Sequence, residues 1–295
     1  MSFVLPLLPV ILPVIFCAGL GVIWAYTRQP FDQEFVRRLV MWIAAPALIV
    51  GTLGEVSMSH SVLREVVVAS VLMIVLSLLL AGLACLVLGQ SPRDFLVPLV
   101  FGNYGNMGLP LCLFAFGEEG LVYALGIFVV TALLHFSLGV ALLRGRGSVA
   151  GLLQTPIVYA GVVAFGLILF EIKLPVSLAN TLDILGAPAV PLMLITLGIS
   201  LGSLRVGGLG HSFLLGLLRL AVGLGGGVLT VWLLGLEGML AKVLLVQSAT
   251  PAAVFNYLLA VQYGRRPEAV AGIVVWSTVL SFVSIPLLLA VIGVG

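Results

Sequence analysis

Long apolar stretches, closed at intervals by charged or turn-forming residues, constrain this chain more than any other feature. Hydrocarbon about 30 Å thick is crossed by a helix of about 20 apolar residues. The breaks divide the sequence into ten such pieces, approximately 3–26, 35–54, 62–89, 95–116, 120–143, 149–170, 178–204, 210–234, 239–262 and 267–293. Only 8% of the residues are charged and 62% are hydrophobic, with a mean hydropathy of +1.31. A soluble domain carries roughly a quarter charged residues, so the expectation is an all-α polytopic membrane protein surrounded by lipid bilayer. A net charge of +2, with no basic run interleaved with aromatics, excludes a nucleic-acid partner. Cys17, Cys85 and Cys112 match no metal or redox spacing and read as small buried hydrophobes, so neither a metal nor a cofactor is expected. The opening M-S-F-V-L-P-L-L has no Lys or Arg before its apolar run and no small-residue cleavage site after it, so it is expected to be a first span.

Ten spans bring both termini to one side, and the cations then sort by loop. Arg28, Arg37, Arg38, Arg93, Arg144, Arg146, Arg205, Arg265 and Arg266, with Arg219 nearer the same end, lie opposite the termini; Arg64, Lys173 and Lys242 lie with them. Because cytoplasmic loops carry the excess of Lys and Arg, both termini are expected outside the cytoplasm, in a multi-pass protein of the cell (inner) membrane. The chain also resembles itself. A-A-P-A-L-I-V-G-T-L-G in the second span is similar to G-A-P-A-V-P-L-M-L-I-T-L-G in the seventh, aligning Pro46 with Pro188. Pro13 likewise aligns with Pro156, and Pro110 with Pro251, at offsets of 142, 143 and 141 residues. Three prolines near one offset predict two halves of five spans each, 1–147 and 148–295. An odd number of spans forces the second half to enter the membrane from the opposite side, which is the inverted repeat of many secondary transporters.

The fourth span contains F-G-N-Y-G-N-M-G-L-P-L, residues 101–111. Unwound chain in hydrocarbon is tolerated only where protein or a polar cavity satisfies its backbone groups. Pro110 removes a donor, while Gly102, Gly105 and Gly108 supply torsional freedom. The stretch therefore reads as a helix, an unwound segment and a second helix restarted near Pro110. Its counterpart in the ninth span, V-Q-S-A-T-P-A-A-V-F-N-Y, residues 246–257, groups Ser248, Thr250 and Pro251. Matching interruptions in two inverted halves point to a substrate site near the midplane. A helix begun inside the membrane aims free N–H groups and a positive dipole end at the gap, which suits an anion. Asn103 and Asn106, with Gln247 and Asn256 from the other half, offer side-chain amides. No acidic residue lies between Phe95 and Phe116 or between Gly238 and Tyr263. That disfavours a sodium or proton antiporter, which needs a carboxylate at its crossed helices.

N-Y-G-N-M-G-L-P-L, S-A-T-P-A-A-V-F-N-Y-L-L-A and A-P-A together resemble the auxin efflux carrier family of plants and bacteria, with a likeness that covers essentially the whole chain. The resemblance implies ten spans and two broken helices that cross at Pro110 and Pro251. It also implies a scaffold of spans one, two, six and seven against a moving domain of the other six. Asn103, seven residues before Pro110, stands where the family places an asparagine on the substrate carboxylate, and bacterial relatives are associated with dicarboxylates such as malate or malonate. Plant long-form carriers insert a large hydrophilic loop between the halves, whereas here only R-G-R-G-S-V-A, residues 144–150, joins them. The short bacterial form is therefore the better match, and auxin is not assumed as the substrate.

Other residues have two readings each. His135, inside the fifth span, could carry a coupling proton or be a neutral imidazole bonded to a neighbouring helix. Arg219, two turns beyond His211, reads as snorkelling to the cytoplasmic surface or as a contact for an anionic substrate. Glu118 and Glu119 read as a solvated turn, Asp183 as an interfacial cap or a cavity residue, and Glu55, Arg64 and Glu65 as loop charges. The pairs Gly198/Gly202 and Gly223/Gly227 have the four-residue spacing of close helix contacts, one of them at a homodimer interface. No nucleophile–base pair or phosphate loop suggests an enzyme. The expected function is a secondary transporter of a small organic anion, working by elevator-type alternating access. A sodium-coupled organic anion symporter of the bile-acid type, with sodium ligands behind the crossing, is the alternative. A sensor or intramembrane enzyme without transport is the third reading.

Overall fold

The computed structural model describes residues 8–55, 59–144, 156–203 and 209–293. Among these, all regular structure is helical apart from one isolated antiparallel bridge between Gly102 and Ala252. Helix α1 (Leu8–Tyr26) is followed by α2 (Gln33–Leu39), which passes through a π-helical turn, Val40–Ala44, into α3 (Ala45–Glu55). Then come α4 (His60–Val87) and α5 (Pro92–Val100). A second π-helical turn, Tyr104–Gly108, opens α6 (Leu109–Leu134), and a third, His135–Gly139, leads into α7 (Val140–Arg144). The remaining helices are α8 (Pro156–Leu169), α9 (Val176–Gly186), α10 (Ala189–Ser203), α11 (Leu209–Leu234), α12 (Gly238–Ser248), α13 (Val254–Tyr263) and α14 (Pro267–Ile292). Their starts follow local chemistry. The Asp32 carboxylate accepts the Phe35 N–H at 2.9 Å to cap α2, and proline opens α5, α6 and α14, where its missing donor has no helical partner to lose.

Among the described residues, six stretches are long and apolar enough to cross a membrane: Gln33–Gly54, His60–Val87, Tyr104–Leu143, Val176–Ser203, Gly210–Leu234 and Pro267–Ile292. Tyr104–Leu143 has 40 residues, which as a straight helix would be about 60 Å long, twice the hydrocarbon thickness. It is divided at Gly117, whose φ of 66° and ψ of −159° leave the helical path. A Cβ on Gly120 would then lie 2.9 Å from the Cys112 carbonyl, so the chain turns sharply between the expected fourth and fifth spans. Glu118 and Glu119 are exposed on that turn, as expected of a solvated corner. The expected ninth span, 239–262, appears as two helices, α12 and α13. Of the expected sixth, 149–170, only Pro156–Leu169 is seen as helix. The junction between 147 and 148, together with Arg146 and Arg205, lies outside the described residues.

Helix contacts fall into two sets. In one, α1 lies along α10 and α3 lies against α8 and α9; in the other, α11 packs on α4, α12 and α14, α12 on α6, and α5 on α4. Small residues let backbones touch in both. Gly198 backs onto the Ala18 carbonyl, and Gly202 lies 3.0 Å from Ala25 through its missing Cβ. Gly223 and Gly227 back onto Ser248 of α12. Both glycine pairs are therefore packing sites within the chain.

Charged groups collect at the helix ends. Asp94 lies 3.6 Å from Arg266 and 4.0 Å from Arg265, whose Nη2 donates to the Leu143 carbonyl, and His211 meets Gln90 at 3.1 Å. Arg64 and Glu65 are exposed, and Asp183 is exposed on α9. Phe95, Leu99, Phe101, Met107, Leu109 and Leu111, on both sides of the interruption after α5, are among the largest fully buried side chains.

Candidate functional site

Helix α5 ends at Val100, and Phe101 is extended, with φ −89° and ψ 111°. Asn103 has φ −82° and ψ 56° before the π-helical turn begins. In the other half α12 ends at Ser248, and Ala253, with φ −63° and ψ 137°, precedes α13. A residue before proline is biased away from the helical region, so Pro251 helps to hold Thr250 out of the helix. The two interruptions meet. Asn103 N–H donates to the Pro251 carbonyl at 2.7 Å, and Ala253 N–H donates to the Phe101 carbonyl at 3.2 Å. Each unwound stretch thus supplies the partners that hydrocarbon cannot. The meeting point is Gly102 opposite Ala252, eight residues before Pro110. Pro110 itself lies in the first turn of α6 and takes no part in the pairing.

A cavity of about 150 Å³ opens beside this pairing. Its polar lining from the first interruption is Asn103, Gly105 and Asn106, and His135 and Thr131 follow along the same segment. The facing wall comes from α2, α8 and α10, including Gln33, Arg37, Ile157, Met193, Thr196 and Ser200. Ala253, Val254 and Phe255, at the start of α13, complete it. The cavity therefore lies between the two helix sets, at the N-terminal ends of both resumed helices. The first N–H groups of a helix have no carbonyl one turn back; on the α6 side the chain resumes at Tyr104, whose π-helical turn already pairs the Met107, Gly108 and Leu109 N–H groups with the Asn103, Tyr104 and Gly105 carbonyls.

Three side-chain atoms are buried without a hydrogen-bond partner on residues that line this cavity: Asn103 Nδ2, His135 Nε2 and Thr196 Oγ1. Burying such groups costs about 1–3 kcal/mol each unless something satisfies them. Asn103 is 4% exposed and His135 is 7% exposed. The His135 ring stacks on Phe101, with centroids 4.3 Å apart and planes 3° from parallel, and packs edge-on against Phe255. Arg37 is tied to Glu34 at 2.7 and 2.8 Å, and Gln33 Nε2 donates to Ser200 Oγ at 2.7 Å. Gln33, Arg37, Thr196 and Ser200 carry no signal in the sequence, because single polar residues at this spacing look like helix-packing groups.

The predicted residues of the ninth span are placed differently. Gln247, Ser248, Thr250, Pro251 and Asn256 are buried, but none of them lines the cavity. Thr250 Oγ1 donates to the Gln247 carbonyl at 2.7 Å, and Ser248 Oγ to the Leu245 carbonyl at 2.8 Å. Asn256 Nδ2 donates to the Phe101 carbonyl at 2.9 Å, so its amide closes the first interruption. The Gln247 side chain fills the space left by the missing Cβ of Gly108.

Arg219 does not snorkel to a surface. It is fully buried, Nη1 donates to the Leu99 and Val100 carbonyls at 2.9 and 3.2 Å, and Nη2 donates to the Thr250 carbonyl at 3.0 Å. These oxygens lie at the C-terminal ends of α5 and α12, whose unpaired carbonyls and negative dipole ends attract a cation more strongly than a distant interface does. Nor does Arg219 line the cavity, so direct contact with a substrate there is not its role in this arrangement.

Membrane-length helices around an internal cavity define a multi-pass membrane protein. The sequence model of the family described as membrane transport protein matches residues 6–153 and 148–289. The chain belongs to this family, the auxin efflux carriers that its fourth- and ninth-span motifs resemble. It is 26% identical over 273 residues to an uncharacterized transporter of Methanocaldococcus jannaschii, covering 86% of this chain and 88% of that one. To an uncharacterized transporter of Methanothermobacter thermautotrophicus it is 29% identical over 274 residues, covering 87% and 88%.

Proposed function

We propose that this chain is a secondary transporter of a small organic anion, a carboxylate or dicarboxylate, bound between the two helix sets. The observation that carries the reading is that three residues lining one cavity beside the two helix restarts, Asn103, His135 and Thr196, each hold a buried polar atom, Nδ2, Nε2 and Oγ1, without a protein partner. A carboxylate accepts from amide, hydroxyl and backbone N–H donors alike. The cavity's about 150 Å³, below the roughly 300 Å³ at which drug-sized pockets begin, favours a compact anion. Within this reading, Asn103 and Asn106 hold the carboxylate, and Gly105 leaves room for the Phe128 ring that packs behind them. Thr250 keeps the second interruption in shape, and Gln247 and Asn256 brace the first from across it.

The chain would then cross the cell membrane ten times, as inverted halves 1–147 and 148–295 with both termini outside the cytoplasm. The set holding α1, α3 and α10 would be the static scaffold. The set holding the interruptions would slide against it, carrying the site from one face to the other. His135, stacked on Phe101 beside the cavity, is placed to take up a proton with the anion. Purified protein in liposomes, given an outward gradient of unlabelled malonate and labelled malonate outside, tests the reading; a panel of carboxylates extends it. Counterflow of at least one carboxylate is expected. Its absence for every carboxylate, in vesicles where folded protein is verified, would contradict the proposal.

A further inference from the structure

Arg219 presents an arrangement that anion binding alone does not require. A guanidinium, fully buried, takes carbonyls from the last turn of α5 and from the end of α12, and among the described residues no carboxylate pairs with it. Unpaired charge in a low-dielectric interior is costly unless dipoles compensate it, and here two helix C-termini do so. Two glycines make the room. A Cβ on Gly102 would meet Arg219 Nη2, and a Cβ on Gly223 would lie 2.7 Å from Nη1. Gly102 also lines the cavity, so the charge sits directly behind the site, one backbone thickness away. In sodium-coupled transporters with interrupted helices, unwound carbonyls and half-helix C-termini of this kind hold the sodium ion.

We propose that the guanidinium of Arg219 is a tethered substitute for a dissociable coupling cation, so that anion transport proceeds without sodium. The coupling role rests on the transporter reading above. The Leu99, Val100 and Thr250 carbonyls that would ligate a sodium ion are already held by Nη1 and Nη2, and a second cation in the same space would face an unscreened like charge. Helix α11 packs against α4, α5, α12 and α14, so the charge belongs to the same helix set as the interruptions. It would travel with the site, which a free ion must bind and leave in every cycle. Arg219 is thus a positioning residue. It holds the two half-helix ends together and supplies positive potential behind the cavity.

The test needs no identified substrate. Purified protein in detergent is melted in sodium chloride and in equimolar choline chloride, and sodium binding is measured with the labelled ion. Wild type is expected to melt at the same temperature in both salts and to bind no sodium saturably. Arg219→Gln should melt about 10 °C lower, and methylguanidinium or sodium should restore part of that loss saturably. Arg219→Lys, which keeps the charge, should remain indifferent to sodium. Since loss of three hydrogen bonds can prevent Arg219→Gln from folding, the wild-type and Arg219→Lys measurements stand by themselves. Saturable sodium binding to wild type would overturn the proposal, as would a folded Arg219→Gln that responds to neither cation. Failure of carboxylate counterflow with these cation results intact would count against the transporter reading and leave the tethered cation standing.

Discussion

The two interrupted segments are related by sequence, joined by one bridge, and chemically unlike. At the first, residues 101–108, the asparagine amide is left without a protein partner on the cavity wall, and glycines bring backbone up to the same space. At the second, residues 249–253, the polar side chains around it bond to backbone: Thr250 to Gln247, and Asn256 to Phe101. One segment presents donors, and the other supports it. On the proposed reading, ligand holding and bracing are divided between the two breaks rather than shared.

Substitutions that blur this division test it, beginning with the largest expected effect. Gly102→Val should leave little folded protein, because Arg219 and Thr250 already fill the space its side chain would enter; overpacking of this kind costs about 1–3 kcal/mol or more. Yield and monodispersity by size-exclusion chromatography check it. Asn103→Ala should weaken carboxylate binding about 10- to 100-fold, since a hydrogen bond to a charged group contributes about 1.5–3 kcal/mol. It should leave the unliganded melting temperature nearly unchanged, because the Asn103 Nδ2 group has no partner in the protein. Asn256→Ala should do the reverse. Loss of its 2.9 Å bond to the Phe101 carbonyl, which keeps the Ala253 N–H, should cost about 0.5–1.5 kcal/mol, seen as a melting temperature lower by a few degrees.

A pH dependence bears on the first segment alone. If His135 is protonated as the anion binds, carboxylate affinity in wild type should rise as pH falls, because the neutral free imidazole takes up a proton in the complex. In His135→Gln the affinity should be flat with pH. Isothermal titration at two pH values, with buffers of different ionisation enthalpy, reports the proton uptake directly. Smallest of all, Thr250→Val should cost about 1 kcal/mol of stability and leave affinity within about two-fold.

The break after α5 was legible in the sequence because glycine, asparagine and proline stand out against a hydrocarbon-length apolar run, but only residues 101–103 are unwound, and the helix resumes at Tyr104 as a π-helical turn rather than near Pro110. Its meeting with the second interruption at Gly102 and Ala252, rather than at the two prolines, was not. Proline marks where a helix cannot continue, whereas pairing depends on which backbone groups are left over on both chains. Amides near a gap look alike in sequence, so Gln247 and Asn256 read as ligands although their bonds are to backbone. Arg219 was misread for the same reason. Its partners at Leu99, Val100 and Thr250 are 120, 119 and 31 residues away, and only the folded chain brings them to it. Thr196 and Ser200 were silent because a hydroxyl on an apolar helix normally bonds its own backbone.

The division between a segment that binds and one that braces is tested most directly by ligand-induced thermal stabilisation with a carboxylate panel on wild type, Asn103→Ala and Asn256→Ala. A carboxylate that stabilises wild type should still stabilise Asn256→Ala, from a lower starting temperature, and should fail to stabilise Asn103→Ala. Equal stabilisation of wild type and Asn103→Ala, with loss in Asn256→Ala, would contradict the account.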